Sequence, residues 1–286
     1  MVGMRKAVVL AVVTVVCGFL VPSSGAAEDP EAWSSDECGV QPLKPDGSRW
    51  ECTFADDFDG TSLDRSRWTP LVQAGPPSGA CNLDSPHTHR VADGSLWLTI
   101  LPTSAEVVCP ARPDGSRAQF ASASISTVDP GTYQKFSQQY GRFEARYRNT
   151  ATRAPGLHEA FWLWPDHVSN FHLYGELDIV ETYSGLPDSA IPHLHDGYGR
   201  EEGVNTTSEC RTTRGEWHTY TLEWSAERIE IFVDGKSCLV NTTTTHRFRT
   251  RYTMALTLLL GTAWNAYDGR APMPATMEVD YVRVWR

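Results

Sequence analysis

Three carboxylates lie close together within residues 174–183, in the run Tyr-Gly-Glu-Leu-Asp-Ile-Val-Glu-Thr-Tyr. They are Glu176, Asp178 and Glu181. The apolar residues between them are typical of a strand that is buried on its other face, where three unpaired acids would be costly without a function. The alternative is an acidic edge strand whose charges serve solubility. The surrounding sequence favours acid–base or nucleophilic chemistry.

A regular strand does not bring all three acids together. Side chains alternate between the two faces of a strand, so Glu176 and Asp178 share a face and Glu181 points the opposite way. One extra residue between Asp178 and Glu181, a β-bulge, would restore the phase. The sequence therefore predicts a bulged strand whose three carboxylates project into one cleft.

Such a cleft suits cleavage of a glycosidic bond. Cleavage with retention of configuration needs a nucleophilic carboxylate and a carboxylic acid about 5–5.5 Å apart. Glu176 and Glu181 are candidates for this pair. Asp178 between them would hydrogen-bond the nucleophile, and its charge would help to keep one neighbour protonated.

Short strands dominate the rest of the chain, and helical periodicity is nearly absent. Alternating runs at residues 95–100 and 143–148 follow Gly94 and Gly141, and a two-residue Asp-Gly turn at 234–235 predicts a hairpin. Many short strands without intervening helices predict an all-β protein, a jelly-roll sandwich of two antiparallel sheets.

The N-terminal segment 1–26 is typical of a secretory signal. Arg5 and Lys6 precede an apolar run at 7–20, and small residues follow at 24–26. This run is shorter than the roughly 20 residues that span a membrane. We therefore expect a secreted, extracellular protein with no membrane partner. Residues 27–48 are predicted to form a loop-rich extension, and residues 49–286 a single domain.

Six cysteines follow the predicted signal, at positions 38, 52, 81, 109, 210 and 238. An even number in an exported chain predicts disulfides, although the sequence leaves the connectivity open. We expect sequence neighbours to pair, because each pair closes a modest loop between predicted strands. A zinc site is disfavoured, since there is no CxxC pair.

Charge and composition limit the classes of ligand that the protein is expected to bind. The net charge of −10 disfavours nucleic acid, which needs clustered Lys and Arg. Ten Trp, ten Tyr and ten Phe suit a neutral, hydroxyl-rich polysaccharide, although most of them are expected to fill the core. There is no GxSxG motif for a serine hydrolase. We expect a monomer.

Several motifs in a fixed order resemble glycoside hydrolase family 16, especially its laminarinase-like (endo-β-1,3-glucanase) members. Besides the acidic run, they cover residues 54–64 with Trp68, 140–146, 160–165, 217–224, 232–235 and 279–284. The resemblance implies a concanavalin A-like jelly roll. It also implies Glu176 as nucleophile, Asp178 as its assistant and Glu181 as general acid/base.

The resemblance implies further site residues. A histidine after the acidic motif usually faces the site; His193 and His195 both qualify, and we prefer His195. Trp162 and Trp164 share a strand face and are candidate sugar platforms, although at least one suits the core equally well. Tyr174 is a candidate substrate contact.

A structural calcium ion, but no catalytic cofactor, is also implied by the resemblance. Its ligands would be Asp57, the Gly94 carbonyl and Asp280, a mixed oxygen set that calcium accepts. Asp57 is shorter than the glutamate usual in the family.

Three segments depart from the family pattern, at 82–88, 122–125 and 156–159; in the last of these, His158 and Glu159 replace the common Trp-Pro. They leave the substrate open: β-1,3-glucan is favoured, and mixed-linkage glucan, galactan or another β-glycan remain alternatives. Two other functions also remain open, a non-catalytic β-glucan-binding protein and a transglycosylase on the same fold.

Overall fold

Short strands build the fold, as the two-residue periodicity predicts. The computed structural model describes residues 35–76, 79–128, 135–166, 175–242 and 245–286. The predicted signal segment 1–26 and Tyr174 lie outside these ranges. In the part of the chain that is described, no helix is long and apolar enough to cross a membrane.

Eighteen strands and short 3-10 helices occur among the described residues. The strands are β1 (Ser35–Asp36), β2 (Gly39–Val40), β3 (Cys52–Asp56), β4 (Thr69–Pro70), β5 (Ala80–Asn82), β6 (His89–Ala92), β7 (Ser95–Pro102), β8 (Phe120–Ser122), β9 (Ser124–Ser126), β10 (Gly141–Asn149), β11 (Leu157–Pro165), β12 (Glu176–Tyr183), β13 (Ala190–His195), β14 (His218–Trp224), β15 (Ile229–Val233), β16 (Lys236–Asn241), β17 (Tyr252–Leu260) and β18 (Ala275–Trp285). The 3-10 helices are His246–Phe248 and Ala263–Asn265.

The strands form two large sheets, which confirms the predicted jelly-roll sandwich. One sheet has ten strands, in the order β16-β15-β14-β10-β18-β7-β8-β5, with β3 added on β18 and β6 on β7. The other has six, in the order β13-β12-β11-β17-β9-β4. The pairings are antiparallel except β5 with β8. The acidic run lies on β12, one strand from the edge of the six-stranded sheet.

The core lies between the sheets and follows from the alternation of side chains. On β7, Leu96, Leu98 and Ile100 are fully buried while Trp97 and Thr99 between them are half-buried. Burying a side chain of this size stabilises the fold by about 1.5–3 kcal/mol. The predicted hairpin is also confirmed, because Asp234 and Gly235 both have positive φ (50° and 73°), as a tight two-residue turn between β15 and β16 requires.

Three disulfides join the predicted sequence neighbours. Their Cα–Cα distances are 5.6 Å for Cys38–Cys52, 5.7 Å for Cys81–Cys109 and 5.2 Å for Cys210–Cys238. The predicted pairing is therefore confirmed. The first bridge ties the segment before β3 to the domain, and residues Ser35–Arg286 form one compact unit. The boundaries at 26 and 48 stay predictions.

A buried ion pair stabilises the six-stranded sheet on its core-facing side. Arg214 donates to both oxygens of Glu159 on β11, at 2.6 and 2.9 Å, and the side chains are 3% and 0% exposed. Thr182 of β12 donates to the same carboxylate at 3.0 Å, and Asn149 donates to Thr182 at 2.8 Å. The network fixes β12 at Thr182, the residue that follows Glu181.

We expect Glu159→Leu to lower the free energy of unfolding by about 3–5 kcal/mol, because it leaves the Arg214 guanidinium buried without an anion. The double variant Glu159→Leu/Arg214→Met should recover part of this loss. Unfolding in urea measures both. Arg153→Met, which breaks an exposed pair with Asp188, is the matched control and should change little. A Glu159→Leu midpoint equal to the parent's would contradict the expectation.

Candidate active site

β12 contains the predicted bulge. Along β13, Asp178 pairs with His193 and Glu181 with Ile191, so three steps on β12 face two on β13. Along β11, Val180 pairs with Phe161 and Asp178 with Trp162, so the same extra residue appears against the other neighbour. An extra residue shifts the alternation by one position. The prediction of a bulge between Asp178 and Glu181 is confirmed.

The bulge places the three acids together on the outer face of the six-stranded sheet, called the cleft face below. Glu176 is within hydrogen-bonding and electrostatic range of Asp178 and within electrostatic range of Glu181. Asp178 also interacts with Glu181. Leu177 and Ile179 point the other way and are fully buried between the sheets. The arrangement offers two carboxyl groups to a ligand, with a third between them.

His195 of β13 holds Asp178. Its Nε2 lies 2.8 Å from Asp178 Oδ2 and donates to it, which raises the pKa of His195. Burial raises the pKa of Asp178, although this hydrogen bond opposes the effect. The His193 ring lies 3.7 Å from that of His195, and burial together with this neighbour lowers its pKa to about 4. His195, the preferred candidate, thus contacts an acid of the site.

The carboxyl group of Glu176 favours its neutral form. Burial raises its pKa to about 7, and the negative charge of Asp178 adds to the effect. When protonated, Glu176 donates a hydrogen bond to Asp178, which further favours the neutral form. His195 opposes these effects.

Glu181 lies in a different environment. His158 Nε2 and Tyr183 Oη lie 2.9 and 2.6 Å from its Oε1. Burial raises the pKa of Glu181, but the hydrogen bonds from His158 and Tyr183 outweigh it, so the pKa is below its usual value. Sequence reasoning missed both partners. The signal was present, because His158 alternates in phase with Trp162 and Trp164 and therefore shares their face.

Aromatic side chains line the cleft beside the acids. Trp162 pairs across the sheet with Asp178, and Trp164 follows on the same face, with ring centroids 6.0 Å apart. Both are half-buried, so neither belongs to the closed core. Trp264, which the sequence did not single out, is 60% exposed and lies 5.1 Å from the Tyr183 ring. Together they offer aromatic faces to a sugar chain.

Both carboxylates predicted to bind calcium have an arginine partner. Asp57 Oδ1 accepts a hydrogen bond of 2.9 Å from Arg283, and Asp280 accepts one from Arg146. Gly94 lies in the turn between β6 and β7 with φ 72°. Because guanidinium groups already neutralise both carboxylates, the residues as placed do not fit a calcium ion. The calcium site therefore stays a prediction without support from these contacts.

Comparison with known proteins identifies the class. Residues 110–283, more than half of the chain, match the model of Glycosyl hydrolases family 16. The chain therefore belongs to this family, and the resemblance seen in its motifs is confirmed.

Alignments with known proteins cover most of this chain. It is 28% identical to "Glucan endo-1,3-beta-glucosidase A1" of Niallia circulans over 91% of its length, but spans only 41% of that protein. It is 29% identical to the "Beta-glucanase" of Rhodothermus marinus, with coverage of 83% and 85%. The solved laminarinase of Rhodothermus marinus superposes with a TM-score of 0.67 at 26% identity, covering 83% of this chain and 97% of that one.

The carboxyl of Glu176 should titrate near pH 7 in the free protein, so that it is protonated below and ionised above this value. Asp178→Asn removes the neighbouring charge and should move the midpoint to lower pH. Carbon-13 NMR of the carboxyl groups measures both, with the Glu176 resonance identified by its loss in Glu176→Gln. A midpoint near the ordinary value of a glutamate in the parent protein would contradict this expectation.

Calcium should leave the melting temperature unchanged, because arginines occupy the carboxylates of Asp57 and Asp280. The measurement compares thermal unfolding in excess calcium with unfolding in a chelator. A rise of several degrees in calcium that Asp280→Asn abolishes would instead establish the site.

Proposed function

We propose that this chain is a secreted, retaining endo-hydrolase of a β-glucan, most simply a β-1,3-glucan. It would act as a monomer on a polysaccharide and bind neither nucleic acid nor membrane. One observation carries the proposal: the bulge in β12 brings Glu176, Asp178 and Glu181 together on one face of the sheet.

In the first step, Glu176 attacks the anomeric carbon of the sugar as a carboxylate while Glu181 carries the proton. The pKa directions in the free protein are the reverse, raised to about 7 at Glu176 and lowered at Glu181, so the reactive form is the less populated of the two singly protonated forms. The bond from the anomeric carbon to the glycosidic oxygen breaks while the bond to the carboxylate forms, and Glu181 gives its proton to the departing oxygen. Asp178, held by His195, lies beside Glu176 and fixes its orientation. The product is a covalent glycosyl-enzyme and a shortened chain with a free hydroxyl.

In the second step, Glu181 acts as a base. It takes a proton from water, whose oxygen attacks the anomeric carbon and displaces Glu176 as a carboxylate. Two inversions give net retention. The hydrogen bonds from His158 and Tyr183 favour the ionised form of Glu181, which is the form that this step needs.

The choice of a β-glucan is supported by the relatives and by the lining of the cleft. Relatives are named as a glucan endo-1,3-beta-glucosidase, a beta-glucanase and an endo-1,3-1,4-beta-glycanase, and another as a keratan-sulfate endo-1,4-beta-galactosidase. Trp162, Trp164 and Trp264 offer faces on which pyranose rings stack. Secretion is supported by three disulfides, which persist in oxidising compartments.

A panel of defined β-glycans tests the proposal. Laminarin should yield short oligosaccharides from internal cleavage, and proton NMR should show the β-anomer first. Glu176→Gln should lower kcat/KM about a thousand-fold or more, and Glu181→Gln about 10²- to 10⁴-fold on substrates with poor leaving groups. Glu227→Gln, an exposed acid outside the cleft, is the matched control and should match the parent.

Other outcomes distinguish the alternative functions. Binding of laminarin without release of reducing sugar would identify a non-catalytic binding protein. Products longer than the oligosaccharide supplied would identify a transglycosylase. Cleavage of lichenan, agarose or a galactan in preference to laminarin would overturn the choice of substrate while keeping the mechanism.

A further inference from the structure

We infer that His158 is a positioning residue for the proposed reaction: together with Tyr183 it fixes Oε1 of Glu181, so that Oε2 is the oxygen that exchanges the proton. The inference rests on the proposed function, because it takes Glu181 as the general acid/base. It adds a residue from β11 that lies outside the acidic motif.

Both hydrogen bonds among the described residues end on the same oxygen of Glu181. His158 Nε2 lies 2.9 Å and Tyr183 Oη 2.6 Å from Oε1. An ionised carboxylate only accepts, so the imidazole and the phenol both donate. A proton on Oε1 would displace one of these donors. The proton of the acid form therefore belongs on Oε2, the oxygen left for the substrate.

The packing around these donors makes the arrangement rigid. His158 and Tyr183 face each other across the β11–β12 pair. Their rings are stacked 4.4 Å apart with an interplanar angle of 9°, and Tyr183 also contacts Trp264. The His158 side chain is only 22% exposed. A carboxyl group held this way has little freedom to turn its second oxygen away from the cleft.

The residue type matters because position 158 lies in a segment where this chain departs from the family pattern. Trp-Pro is common there, and this chain has His158 followed by Glu159. An indole offers one donor and no charge, whereas imidazole donates and can also gain a proton. Glu159 on the opposite face forms the buried pair with Arg214. The two substituted residues thus have separate partners on the two sides of β11.

The other charged groups around Glu181 have opposite effects on its pKa. Asp178 and Glu176 disfavour its ionised form, whereas Arg200, in the segment after β13, favours it. The titratable and charged groups that face the His158–Glu181 pair are Glu176, Asp178 and Tyr183 of β12, His193 and His195 of β13, and Arg200. Since His158 donates to the ionised form, its removal should raise the pKa of Glu181.

The acid limb of kcat/KM tests this direction, because the pKa of Glu181 lies below that of Glu176 and the lower limb follows the group with the lower pKa in the free enzyme. His158→Phe keeps an aromatic ring for Tyr183 but removes the donor, and the limb should move up by about 0.5–1 pH unit. Activity at the optimum should fall about 10-fold or more, because the carboxyl group is no longer oriented. His158→Gln, which keeps an N–H donor, should restore the limb to its parental position.

Tyr183→Phe provides a second variant if His158→Phe does not fold, as judged by its melting temperature. It removes the other donor to Oε1 and should shift the limb in the same direction. A uniform loss of activity at all pH values, with the limb unmoved in both variants, would mean a structural role and would overturn the inference. Parental activity and pH profile in His158→Phe would overturn it as well.

Carbon-13 NMR titration of the Glu181 carboxyl separates this inference from the proposed function. The resonance is identified by its loss in Glu181→Gln, and no substrate is needed. A higher midpoint in His158→Phe than in the parent supports the inference even if no glycan is cleaved, in which case only the proposed reaction fails. An unchanged midpoint overturns the inference even if laminarin is hydrolysed.

Discussion

One extra residue in β12 is the constraint on which the candidate site depends. A strand alternates its side chains, and this one must send Leu177 and Ile179 into the core while presenting three acids to the cleft. Without the bulge, Glu181 would point between the sheets, where an ionised carboxylate is costly. The register of β12 shifts by one residue against both β11 and β13. The strand stays paired with both neighbours on either side of the bulge.

The three acids differ because their surroundings differ. Glu176 is governed mainly by burial and by the charge of Asp178, whereas Glu181 receives two hydrogen bonds on one oxygen. Asp178, between them, is held by His195. These surroundings come from three adjacent strands, so one sheet both orients the carboxyl groups and sets their affinity for protons. The buried Glu159 carboxylate supports the same strands from the inner side through Thr182.

In the ten-stranded sheet, the role that a residue type suggests depends on the side chains that lie against it. Asp57 and Asp280 suit a cation by type alone, yet arginines distant in the sequence lie against them. Arg146 and Arg148 also stack on Trp217, with guanidinium carbons 4.7 and 4.8 Å from the ring centroid. Charge on this face is therefore compensated within the sheet. Neither spacing nor composition reveals such pairs, because they depend on strand register.

The sequence alone determined the all-β class, the turn at Asp234-Gly235 and the need for a bulge beside the three acids, and it favoured disulfides between neighbouring cysteines. Each of these follows from alternation or from short chain separations. Only the tertiary structure decided that His158 and Tyr183 meet on Glu181, that Trp264 joins them, and that arginines hold the predicted calcium ligands. The physical reason is that a strand's pattern fixes which face a side chain takes, whereas the residue opposite it is set by how distant segments pair and pack.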